Sequence, residues 1–74
     1  MNIIEVVKKE FGITDSQLSE MIITDEYVCT LEEFILVNYY DESVIKISKE
    51  EIQEVINLKP NEVFYIGHSE IIKQ

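Results

Sequence analysis

The chain contains no arginine, one cysteine, one histidine, one proline and two glycines in 74 residues. Each scarcity removes a class of function. Six lysines against fifteen acids give a formal charge of −9, so a nucleic-acid backbone or an anionic bilayer is a poor partner. The lone Cys29 cannot close an internal disulfide, and no Cys/His spacing suggests a zinc site, so a reducing, cytoplasmic setting is expected. Gly12 and Gly67 are isolated and build no phosphate loop, and His68 with Cys29 assembles no catalytic triad. The reading is a protein that is not an enzyme, with no catalytic residues and no metal. No stretch approaches the roughly 20 apolar residues of a membrane span, and the N-terminus lacks a signal-type apolar core. An unprocessed chain away from the membrane is expected.

What is present suits a folded domain. Hydrophobic residues make up 46% of the chain, ordinary for a globular protein, and the length fits one domain over residues 1–74 with a small core. A monomer is expected. The acid excess favours basic patches on partner enzymes or other proteins. It equally suits a solvated, solubilising surface.

The densest information lies at residues 29–42. Thr30 followed three residues later by Glu33 is a capping box, from which Leu31, Phe34, Val37 and Tyr40 recur at helical spacing beside Ile35 and Leu36. Glu32, Asp41 and Glu42 are left for solvent, so the spacing predicts an amphipathic helix over about 31–41. Asn2 with Glu5 opens an earlier helix over 3–11, which Gly12 can cap. Thr14 with Gln17 starts some helix within a long connection, 13–29. Ser48 with Glu51 opens a short helix near 49–57 carrying Ile52, Val55 and Ile56. Lys59-Pro60 breaks the chain and restarts it as a last helix near 60–66, with Val63 inward and Gly67 as its stop. Residues 68–74 read as a frayed tail, although Ile71 and Ile72 offer docking side chains. The fold class expected is all-α, a small four-helix bundle. The alternative is a compact α+β fold with a hairpin at 34–47, where β-branched and aromatic residues are dense.

So placed, the chain resembles the acyl carrier proteins over nearly its whole length. Val6-Val7-Lys8-Lys9-Glu10-Phe11-Gly12-Ile13 is similar to the close of that family's first helix. Thr30-Leu31-Glu32-Glu33-Phe34-Ile35-Leu36-Val37 is similar to the start of its recognition helix, and Tyr40-Asp41-Glu42-Ser43-Val44 to that helix's acidic end. Ile47-Ser48-Lys49-Glu50-Glu51-Ile52 resembles the opening of its short third helix, and Val63-Phe64-Tyr65-Ile66 stands where its last helix closes. The resemblance implies a carrier of acyl groups in fatty acid or polyketide biosynthesis, with 4'-phosphopantetheine on a serine. At that motif this chain reads Val28, Cys29, Thr30 and Leu31, so the glycine, the aspartate and the serine are replaced and Thr30 stands at the attachment position. A threonine there is a crowded acceptor, and its capping role competes, so a carrier-fold binding module without the group is the companion expectation. The resemblance also implies partner recognition by Glu32, Asp41 and Glu42. It implies an acyl pocket formed by Leu31, Phe34, Val37, Tyr40, Ile52, Val55 and Val63, which as plain chemistry is equally a packed core. The alternative function, from the charge alone, is a small acidic inhibitor that sequesters a basic partner by charge mimicry.

Overall fold

The structure is a computed structural model that describes residues 2–74. It is α+β rather than all-α: one four-stranded antiparallel sheet with helices on one face. Helix α1 spans Ile3–Phe11, α2 Asp15–Leu18, α3 Leu31–Ile35 and α4 Lys49–Ile56. The strands are β1 Met21–Ile23, β2 Val28–Thr30, β3 Val63–Ile66 and β4 Ser69–Lys73. Their spatial order is β2-β1-β4-β3, two hairpins joined through the β1–β4 pair.

The helices begin where side chains satisfy their first N–H groups. Reciprocal boxes form at Thr14 with Gln17 and at Ser48 with Glu51, and Asn2 accepts the Ile4 N–H. Gly12, at φ 63°, closes α1 in the left-handed conformation. The expected bundle fails elsewhere. The 13–29 connection contains a hairpin, the expected last helix is β3, and the expected frayed tail is β4 in the sheet interior. The alternative hairpin at 34–47 is not formed either, because 31–40 is helical.

The physical reason lies in the turns. Lys59-Pro60-Asn61-Glu62 is closed by a Glu62 N–H to Lys59 C=O bond, with Asn61 at φ 68°, the pattern of a turn with proline first and a left-handed residue second. Proline there directs the chain into β3 instead of starting a helix. Gly67, at φ 61°, then opens a two-residue turn between Ile66 and Ser69. In the other hairpin the Thr24 hydroxyl accepts the N–H groups of Glu26 and Tyr27, replacing the glycine that such a turn usually needs.

The inner sheet face carries Ile22, Cys29 and Ile71, packed with Val7, Leu31, Phe34, Ile35, Ile52 and Val55 of the helices. Lys73 also points inward, 2% exposed, donating to the Ile56 C=O at the end of α4 and lying 3.4 Å from Glu20. By alternation, Met21, Ile23, Val28, Thr30, Val63, Tyr65, Glu70 and Ile72 form the outer face. Helices cover only the other side, and Val28 and Tyr65 are 58% and 64% exposed. Among the described residues no helix is long and apolar enough to cross a membrane.

Candidate functional site

Beyond α3 the helix widens into a π-helical segment, Leu36–Tyr40, in which the Asp41 N–H reaches back to the Leu36 C=O. Asn38 accompanies the change. Its side-chain amide donates to the Phe34 C=O at 2.9 Å, the carbonyl an α-helical Asn38 N–H would use, and so inserts into the ladder. The same amide lies 3.3 Å from the Tyr27 hydroxyl, and the Asn38 C=O accepts the Ile47 N–H at 2.8 Å. One residue thus ties the helix to the 24–27 turn and to the strap 41–48.

Between those segments opens a cleft of about 620 Å³. Buried Phe34 and Ile71, with half-buried Ile47 and Ile66, supply its apolar lining. Asp25, Glu26 and Glu51 contribute carboxylates, Lys46 the one ammonium, and Tyr27, Asn38 and Ser69 neutral polar groups. Asp25 is held in place by the Glu70 N–H, and Glu51 by its box with Ser48. Glu26 is exposed. Ile45 is 96% exposed at the strap, an apolar side chain with no core to serve. The arrangement suits an occupant with a cation and an apolar portion. Among the described residues no three His, Cys, Asp or Glu side chains form a metal-holding group.

The residues singled out in the sequence disperse. Thr30 ends β2 and its hydroxyl accepts the Glu33 N–H as the cap of five-residue α3. The helix expected over about 31–41 is present as α3 and its π-helical continuation to Tyr40, but the four-helix bundle that the carrier resemblance required is absent among the described residues. Cys29 is buried and its thiol pKa is pushed up, by loss of water first and by Glu33 second. Leu31, Phe34, Ile52 and Val55 are core side chains. Val37 faces solvent at 45% exposure, and Val63 lies on an edge strand, so these residues do not enclose a common acyl pocket.

Tyr40 is half-buried. With Tyr39 it donates to the two oxygens of Glu10, at 2.6 and 2.9 Å, clamping the π-helical segment to α1. These bonds, Tyr40's first, hold the Glu10 carboxyl below its usual pKa, while burial and the carboxylate push Tyr40 upward. Glu32 is half-exposed, and Asp41 and Glu42 are exposed. None of the three lines the cleft. Asp41 instead accepts the Ser43 N–H and hydroxyl, starting the strap, and those bonds lower its pKa.

The cleft's own acids, Asp25, Glu26 and Glu51, went unselected in the sequence. They come from a turn and a cap that become neighbours only when the sheet closes. Asn38 offered a signal, an amide-bearing residue inside an apolar helical run. Comparison of the chain with family models, with curated proteins and with solved structures gives no match.

Proposed function

We propose that this protein is a small acidic binding module that takes a basic, partly apolar segment of another protein into the cleft between the 24–27 turn and the 41–48 strap, sequestering it. The observation that carries this reading is the pairing of an apolar lining, Phe34, Ile66 and Ile71, with Asp25, Glu26 and Glu51 against the single Lys46. Apolar contact supplies affinity, and the net charge of −9 speeds encounter and orients the partner. The exposed Ile45 gives the occupant a second apolar wall. Alkyl stems of lysine or arginine suit such a site, because they cover apolar surface while their charged ends reach the carboxylates.

The test is a fluorescent peptide of alternating lysine and leucine, titrated at low and high salt with amide chemical shifts recorded in parallel. Binding weakens at least about tenfold with salt, since exposed charges are screened. Glu26→Lys with Ile45→Ser weakens it further, and the shift changes centre on 24–27 and 45–47. Affinity unchanged in that double variant, or shifts centred elsewhere, refutes the assignment of the cleft.

A further inference from the structure

The sheet has two edges, and they are not equivalent. β2 has three residues, the last being the cap of α3, so chain direction changes at once. β3 is four residues long, Val63-Phe64-Tyr65-Ile66, with none of the lysine, proline or bulge that commonly guards an edge. Its outward hydrogen-bonding groups follow from the ladder. The Gln74 N–H donates to the Met21 C=O, so the hydrogen-bonded pairs of β1 and β4 include Met21 with Gln74 and, two residues on, Ile23 with Ile72. Ile72 therefore turns its backbone groups to β1, and Ile71 and Ser69 turn theirs to Phe64 and Ile66 of β3. The N–H and C=O of Val63 and Tyr65 are left pointing away from the sheet.

We infer that two copies of this chain pair antiparallel through β3, with Val63 of each copy hydrogen-bonded to Tyr65 of the other. A two-fold axis with Phe64 opposite Phe64 matches both outward-pointing residues at once, giving four backbone hydrogen bonds in a closed, self-complementary contact. It also extends the outer-face row Val28, Ile23, Ile72, Val63 into a second sheet. Charge placement fits a second copy as occupant. The chain has fifteen acids, yet β3 has none and the outer face has one, Glu70. The monomer expected from the sequence is here the dilute form. A pair of four-residue strands buries less than the roughly 1,000 Å² of a stable interface, so the dimer forms at protein concentrations of about 0.1 mM and above.

Salt response separates this contact from cleft binding. Two bodies of charge −9 and dimensions 34 × 27 × 20 Å repel across a few tens of ångströms. The screening length falls from about 30 Å at about 0.01 M salt to about 8 Å at about 0.15 M, so dimerisation strengthens by on the order of a thousandfold while peptide docking weakens.

Sedimentation equilibrium and hydrogen exchange on the intact chain, across protein concentration at high salt, test the inference. Dimer is expected, with the Val63 and Tyr65 amides gaining protection as it forms and Phe64 and Ile66 protected throughout. Tyr65→Pro removes one outward N–H and no bond to β4, and it abolishes the dimer. Tyr65→Glu leaves every backbone group in place and weakens the dimer by adding like charge. A monomer at about 1 mM in high salt, a dimer that survives Tyr65→Pro, or new protection away from β3 overturns the pairing. Failure of the lysine–leucine peptide to bind leaves it standing, because the cleft and the β3 edge do not share Val63 or Tyr65.

Discussion

Replacing Lys73 by methionine isolates the buried ammonium, since methionine keeps much of the apolar stem and removes the charge. Lys73 donates to the Ile56 C=O, an end-of-helix carbonyl, and stands 3.4 Å from Glu20, whose side chain is 34% exposed. A hydrogen bond from a charged donor is worth about 1.5–3 kcal/mol net of the water it displaces. The Glu20 pair adds less than about 1 kcal/mol, because a carboxylate that reaches solvent is screened and can turn outward. Lys73→Met should therefore cost about 2–3 kcal/mol, from a total stability on the order of 4–11 kcal/mol for a chain of this size. In a domain this small each kcal/mol moves Tm by about 4–8 °C, so thermal unfolding followed by circular dichroism should show a fall of about 10–20 °C. Glu20→Gln should cost less than about 1 kcal/mol, and the double variant should show coupling of the same small size. A Tm at or above the parent's would refute the reasoning, showing that dehydration of the ammonium outweighs its bonds.

Two further perturbations probe the packing that positions the cleft. Phe34, 1% exposed, joins the cleft lining to the core, so Phe34→Ala should lower stability by roughly 3–5 kcal/mol in urea unfolding; a loss below about 1 kcal/mol would mean that the lining is not packed. Glu10 has a depressed folded pKa through Tyr40 and Tyr39, so its contribution is present above the usual carboxylate pKa and is lost as pH falls through the folded value. Tyr39→Phe with Tyr40→Phe should flatten that acid-limb loss in a Tm–pH profile, and an unchanged acid limb would remove the clamp from the account.

Local signals were legible where one side chain decides the matter. Asn2, Thr14, Thr30 and Ser48 accept the N–H groups that start helices, and Gly12 ends one. The sheet was not legible for two reasons. β1 and β2 are three residues each, too short for alternation to show, and their turn uses the Thr24 hydroxyl in place of glycine or asparagine. Lys59-Pro60-Asn61 carries a signal common to helix starts and turns, and Asn61 in the left-handed region decides for the turn. Once β3 was read as helix, β4 had no partner and looked like a tail. The cleft was lost with it, since Ile66, Ser69 and Ile71 line it from that hairpin.

The strand order has a consequence for how the chain acquires its shape. Each hairpin is local, but the seam between them joins Ile23 to Ile72 and Ile22 to Lys73, positions about fifty residues apart in the chain. Bringing such distant points together carries a loop-closure cost of roughly 3–4 kcal/mol that no local contact offsets in advance. The two hairpins and α1 are therefore expected to form early, with the central seam as the late, rate-setting event. During synthesis the first hairpin waits for residues 69–73 before its inner edge is covered. In that interval β1 is exposed to pairing with the wrong strand, which makes the closing seam the step most open to misassembly.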